Sequence, residues 1–399
     1  MKRFRLILLL ALCGLTALSC GAREEGRVVL GDEQFSEYLP LLEGQRVAIF
    51  SNQTGLVGGG EEHVLDALIA KGVNVTAIFS PEHGFRDLAD DGSHVGDSVE
   101  PLTGVPILSL YGGAGGMRPT DESMDMFDVL IVDIQDVGLR FYTYYITMCH
   151  LMDACGAKGK HVVLLDRPNP NGHYVDGPVL DMSLKSGVGH LPIPAVHGLT
   201  LGELARMAQG EKWLNEGNEC KLTVIPCKNY THHTLYELPV RPSPNLPNMQ
   251  AIYLYPALCP FEGTVVSLGR GTDKPFQQYG HPALNVKYSY SFTPQSVKGS
   301  SHPPLLGQEC FGVDLSKMPK EEIFARGMDL SYVIDAYTCL KEQGMEMGFF
   351  RRFFDLLLGQ KWVREMIEEG ATADEIKARW APDVEAFLKA RKPYLLYEE

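Results

Sequence analysis

Between Arg46 and Asp166 the chain alternates short apolar runs with stretches of helical periodicity. Strands are predicted over Arg46–Ser51, Val73–Ser80, Val105–Leu110, Val129–Asp133 and His161–Asp166, and helices over Glu62–Ala70 and Tyr142–Ala154. Runs such as VLIVD and HVVLLD are apolar throughout instead of at every second position, as expected of strands covered on both faces of a parallel sheet. The strand–helix–strand order predicts an α/β fold, with a Rossmann-like, mostly parallel sheet domain over 27–180 that may be drawn out to about 240. From Met182 onward proline and aromatic residues become frequent, and Pro239–Pro247 (PVRPSPNLP) reads as extended chain. Helices are expected again at Lys320–Lys341 and Phe349–Trp362, then as a pair over Thr372–Arg391, where Thr372 and Glu375 match a capping box. A smaller C-terminal α+β domain over 241–399 is expected to pack over the strand ends, with the active cleft between the two.

The polar residues fall where such a sheet binds ligands, at the C-terminal ends of its strands. Four strands run into Asn52-Gln53-Thr54-Gly55, Pro81-Glu82-His83-Gly84, Asp133-Ile134-Gln135-Asp136 and Asp166-Arg167-Pro168-Asn169-Pro170. A GxGxxG fingerprint is missing, and the glycine runs at Gly58–Gly60 and Gly112–Gly116 lack the strand–turn–helix frame of a dinucleotide site. The sheet is therefore read as Rossmann-like without a cofactor.

Glu82 lies between Pro81, which stiffens the approach, and Gly84, which permits a turn. A carboxyl partly desolvated there gains a pKa suited to protonating a glycosidic oxygen, although the position also suits a plain helix N-terminal carboxylate. Asp133 and Asp136 can face one cleft, with Arg140 and Tyr142 close enough to line it; Asp136 and Arg140 can equally pair on a surface turn. Two prolines lock the loop that presents Asp166 and Asn169. Glycines flank Arg270 on both sides, and a planar guanidinium can hold a carboxylate of a ligand, or else satisfy carbonyls of its own turn. Glu262 precedes it in the same segment, and His197 precedes a helix as either a sugar contact or a structural hydrogen bonder.

Charge and cysteine usage narrow the class. A formal net charge of −14 with no basic stripe argues against a nucleic-acid partner. Lys2, Arg3 and Arg5 precede an apolar run over Leu6–Leu18 that is too short to span a bilayer, as in a bacterial signal peptide. The following Ala17-Leu18-Ser19-Cys20 resembles a lipobox, so residues 1–20 are expected to export the chain and Cys20 to carry a lipid anchor facing the periplasm or cell surface. No CxxC spacing occurs; Cys220 and Cys227 are the pair most open to bridging, but no disulfide is assigned. His83, His94, Asp87, Asp90 and Asp91 lie close in sequence, yet without HExxH spacing no metal site is expected, and no GxSxG elbow points to a serine nucleophile.

Taken together, SNQTG at Ser51–Gly55, FSPEHGFR at Phe79–Arg86, DIQDVGLRFYTY at Asp133–Tyr144, LDRPNPNG at Leu165–Gly172, HGLTLGELA at His197–Ala205, SPNLPN at Ser243–Asn248 and FEGTVVSLGRGTDKPF at Phe261–Phe276 resemble the exo-β-N-acetylmuramidases called NamZ. The resemblance covers nearly the whole chain after the leader. It implies a Rossmann-like domain, a smaller C-terminal domain, an inter-domain cleft, no cofactor, and release of N-acetylmuramic acid from non-reducing ends of peptidoglycan-derived muramoyl oligosaccharides. Glu82 becomes the expected catalytic acid, with Glu262, Asp133 and Asp136 as candidates for base or nucleophile. Asn52, His83, Arg86, Arg140 and Tyr142 become expected substrate contacts, alongside Asp166, Asn169, His197 and Arg270. Asp87 departs from the glycine expected after the Phe-Arg pair, and Ala257-Leu258-Cys259-Pro260 alters the approach to Phe261. Two rival classes are a glycan-capturing surface lipoprotein without activity and a metal-dependent peptidoglycan hydrolase.

Overall fold

The computed structural model describes residues 26–81, 84–86, 98–110, 118–214 and 219–399 of the 399-residue chain. Its main sheet has seven strands: β1 (Arg46–Ser51), β2 (Asn74–Ser80), β3 (Ser98–Val99), β4 (Pro106–Ser109), β5 (Val129–Asp133), β6 (His161–Leu165) and β7 (Lys221–Ile225). They lie in the order β3-β4-β2-β1-β5-β6-β7, all parallel except β3, which pairs antiparallel with β4 at one edge.

The uninterrupted apolar runs are explained by a core on each face. Val47, Ile49, Ile78, Val129, Ile131 and Val163 point to one side, where the helices Phe35–Leu42 and Val64–Ala70 cover them. Their neighbours Ala48, Phe50, Phe79, Leu130, Val132 and Leu164 point to the other, under Tyr144–Ala157 and Leu201–Gly210. The second core continues without a break into the C-terminal half, through Leu254, Phe276, Val333 and Trp380.

That half carries a three-stranded antiparallel sheet, β8 (Gln278–His281), β9 (Tyr290–Phe292) and β10 (Cys310–Asp314) in the order β8-β10-β9, together with helices. The helices depart from the expected pattern in several places: Lys320–Lys341 is broken after Arg326 into Lys320–Arg326 and Ser331–Lys341, and Phe349–Trp362 is broken at Gly359 between Arg352–Leu358 and Lys361–Glu369. Met249–Leu258 forms a helix within a stretch read as irregular, and it is buried from Ala251 to Leu258, so it shows no polar face and no helical period. Ala373–Arg391 is one helix where a pair was expected; Pro382 sits on its exposed face, where water can serve the carbonyl that loses its donor. Its buried stripe is Ile376, Trp380, Val384, Phe387 and Arg391, and the Thr372–Glu375 capping box closes its start. Cys220 and Cys227 stand at opposite ends of β7 as free thiols, directed at Gln209 Oε1 and the Asp166 carbonyl. Among the described residues no helix is long and apolar enough to cross a membrane.

Candidate active site

From β1 the chain winds to β2 and β4 on one side and to β5, β6 and β7 on the other, so β1 and β5 border the topological switch point. Ser51 and Asp133 are paired there at the strand ends. Both loops are tightly knit. Asn52 Oδ1 accepts from the Thr54 amide at 3.0 Å and its hydroxyl at 2.6 Å, and Thr54 Oγ1 accepts from the Gln135 amide at 3.0 Å. Asn52 Nδ2 donates to the Tyr144 hydroxyl at 3.0 Å. At Gly55 a Cβ would lie 2.2 Å from Ser51 Oγ and 3.3 Å from Asp133 Oδ2, so only glycine lets this loop close over Asp133. Beneath it, Arg167 Nε donates to Asp133 Oδ1 at 2.6 Å and Arg167 Nη2 to Asp32 Oδ2 at 2.7 Å.

The Pro-rich segment forms the opposing wall. The Pro242 carbonyl accepts from the Tyr142 hydroxyl at 3.0 Å, the Tyr144 hydroxyl at 3.1 Å and Gln53 Nε2 at 3.2 Å. Tyr142 and Tyr144 begin a run of edge-to-face rings that crosses into the C-terminal half. Centroids are 4.7 Å apart for Tyr142–Tyr144, 6.3 Å for Tyr142–Tyr255 and 4.8 Å for Tyr255–Phe276. The Arg270 guanidinium lies 5.0 Å from the Phe276 centroid and donates to Glu262 Oε1 from Nε at 2.8 Å and Nη2 at 2.5 Å. Gly269 and Gly271, at φ +86° and +79°, give the turn that presents it. The sheet edge and the Glu262–Arg270 pair are thus joined by one rigid aromatic seam, and the pair keeps 19% side-chain exposure on each member.

Other expected site residues are turned inward. Arg140 is wholly buried, with Nη1 on the carbonyls of Pro178 and Ile193 and Nη2 on that of Leu357; burial lowers it to about 10. Asp166 accepts from Thr200 and Tyr397 hydroxyls and the Gly202 amide, anchoring a helix start and the C-terminal segment, while burial pushes it up to about 6. Asn169 donates to the Leu199 carbonyl and accepts from the Asn171 amide. His197 is buried, with Nδ1 accepting from the Leu199 amide, and desolvation lowers it to about 3. Asp136 does not pair with Arg140: its Oδ1 accepts from the Gly138 amide at 2.7 Å, Oδ2 is buried with no hydrogen bond, and burial raises it to about 7. A 10 Å³ cavity adjoins it. Arg86 bridges Asp66 and Glu100, tying the chain beyond β2 to the helix before it.

Glu82, His83, Asp87, Asp90, Asp91, His94 and Cys20 lie outside the described residues. Among the described residues, no three or more His, Cys, Asp or Glu side chains are grouped to hold a metal ion. A 590 Å³ groove between the first helix and Lys71–Asn74 lies at the opposite end of β1 and β2, away from this chemistry. Sequence reading missed Asp32, which shows no local motif, and Tyr144, whose hydroxyl joins two loops only after folding.

The structure thus presents an open doubly wound α/β sheet with a knit switch point, from which an aromatic seam leads to a half-open carboxylate–arginine pair. Residues 47–250 match the family model for exo-β-N-acetylmuramidase NamZ, N-terminal, and residues 253–397 the model for its C-terminal part. The peptidoglycan β-N-acetylmuramidase NamZ of Bacillus subtilis is 36% identical over 92% of this chain and 90% of its own length. Crystal structures of two DUF1343-family proteins from Bacteroides fragilis superpose with TM-scores of 0.86 and 0.77, at 58% and 28% identity. Each alignment covers 93% of this chain and 99% of the other. The chain belongs to the NamZ exo-β-N-acetylmuramidase family and is a glycoside hydrolase.

Proposed function

We propose that this chain is an exo-acting muramidase that releases N-acetylmuramic acid from non-reducing ends of peptidoglycan fragments during cell-wall turnover. The observation that carries the reading is the 36% identity, over 92% of the chain, to a Bacillus subtilis enzyme named for this activity. The residues fit it chemically. Glu82 acts as the general acid on the glycosidic oxygen, and Glu262 is the second carboxylate. Arg270, held against Glu262, supplies the cation for the lactyl carboxylate that distinguishes muramic acid from glucosamine. The leader over residues 1–20 exports the chain, and Cys20 anchors it on the periplasmic or outer face of a membrane.

The test is release of N-acetylmuramic acid from a chromogenic muramide and from MurNAc-GlcNAc by protein lacking residues 1–20, with Glu82→Gln alongside. Release by the wild type, with turnover lost and binding kept in the variant, is expected. Tight binding without release by the wild type would replace the reading with glycan capture.

A further inference from the structure

Arg167 and its two carboxylates sit under the site without reaching solvent: side-chain exposure is 4% for Arg167 and 0% for both Asp32 and Asp133. They come from three distant parts of the chain. Asp32 belongs to the turn before the first helix, Asp133 ends β5, and Arg167 follows β6, 135 residues from Asp32. Asp32 is fixed in turn: its Oδ1 accepts from the Gly58 amide at 3.1 Å and its carbonyl from the Tyr38 hydroxyl at 2.9 Å.

Such a unit is a poor device for stability alone. Desolvating three charged groups costs several kcal/mol each, and well-packed apolar side chains of similar volume do as well or better. One guanidinium serves two carboxylates, leaving a surplus negative charge in a dry site. Burial and the nearby Asp133 push Asp32 up to about 7 against the pull of Arg167, so a proton on Asp32 offsets that surplus only as the pH falls below neutrality. What the unit does achieve is alignment. Asp133 leads through Gln135 to Thr54 and Asn52, and Asn52 leads through Tyr144 to Pro242, the chain that ends at the aromatic seam.

We propose that Asp32, Arg167 and Asp133 are positioning residues of this hydrolase, which fix the strand-end loops Asn52–Gly55 and Ile134–Asp136 in the arrangement that catalysis needs. The kinetic part rests on the muramidase reading. The mechanical part does not: these three side chains set the local order of the two loops whatever the substrate.

The test uses the full chain with Asp32→Asn, which keeps shape and one acceptor, and Arg167→Lys, which keeps charge but loses the fork. Native-state hydrogen exchange is read at the amides of Thr54 and Gln135 and, as a reference, at Ile49 and Phe50 in β1. Asp32→Asn is expected to speed exchange at Thr54 and Gln135 at least tenfold while β1 stays within twofold. Equal acceleration everywhere, or none at the loops, overturns the proposal. On the chromogenic muramide, kcat is expected to fall at least tenfold with KM within threefold in both variants. A folded Asp32→Asn protein with wild-type kcat overturns the kinetic part. A wild type without turnover sinks the muramidase reading alone, because the exchange experiment still decides the positioning role.

Discussion

Arg167 and Arg270 each hold a carboxylate, yet Arg167 does so at 4% side-chain exposure, with Asp32 and Asp133, and Arg270 at 19%, with Glu262. Arg167 is closed in from all sides, by Asp32, Asp133 and the Leu56 carbonyl. Arg270 stands on a turn between two glycines and over the edge of an aromatic seam. Under the two proposals above the same pairing serves different ends: the buried pair holds the backbone where it is, and the half-open pair trades its partner for a substrate group. Desolvation makes the first costly to disturb and leaves the second adjustable.

Replacing Arg167 with Met should give the largest effect. It leaves two carboxylates buried without their cation, and loss of one partner from a buried ion pair costs about 3–5 kcal/mol. Chemical denaturation should show that loss at pH 8 and a smaller one at pH 5, where a proton on Asp32 removes one of the two stranded charges. Equal losses at the two pH values would break the contrast with Arg270. Arg270→Ala should do the reverse, lowering kcat/KM on a muramide by about 100-fold, roughly 3 kcal/mol, while stability moves by about 1 kcal/mol or less. A chromogenic glucosaminide, which has no lactyl carboxylate, sharpens the test: any residual hydrolysis should be far less sensitive to Arg270→Ala.

The comparison also shows how much was legible in the sequence. Strands β1, β2, β5 and β6 were, because doubly covered strands are apolar at every position, and the parallel order then put the polar loops after β1, β5 and β6 on one edge. The Arg270 turn was also readable, since flanking glycines are a local signal. Asp32 was not: LGDEQF carries no motif, and its role arises only when a residue 135 positions away folds back onto it. Arg140, Asp166 and Asn169 lie in loops that read as polar and open, but their side chains are spent on backbone carbonyls, amides and hydroxyls inside the fold. Residue type and loop position told where polar groups gather. Direction in or out depends on partners from remote segments.

Asp136 gives a smaller, proton-linked effect on the closed side of the comparison. Its carboxyl is raised to about 7 by burial, with Oδ2 unpartnered, so the folded chain holds its proton more tightly than the unfolded chain does. That contribution is present below about pH 4 and is lost as pH rises through about 7. Asp136→Asn keeps the acceptor for the Gly138 amide and removes the ionisation. Measured by urea unfolding at pH 5 and pH 8, the variant should lose less stability over that interval than the wild type, by about 1–3 kcal/mol. A parallel shift of both values would mean that Asp136 does not titrate there.

Tyr397→Phe should have the smallest effect. The hydroxyl donates to Asp166 Oδ2 at 2.6 Å and accepts from the Cys227 amide at 2.9 Å, tying the C-terminal segment to the end of β6, one residue before Arg167. Asp166 keeps the Thr200 hydroxyl and the Gly202 amide, so its charge remains served. The Cys227 amide loses its acceptor in a buried place, which costs about 1–2 kcal/mol. Because Asp166 is held from other directions, the neighbouring Arg167 should stay in place and kcat should remain within twofold of the wild type. A large fall in kcat with little change in stability would mean that the positioning unit extends through Asp166 to the C-terminal segment, and the boundary between holding the fold and aligning the site would have to be drawn further out.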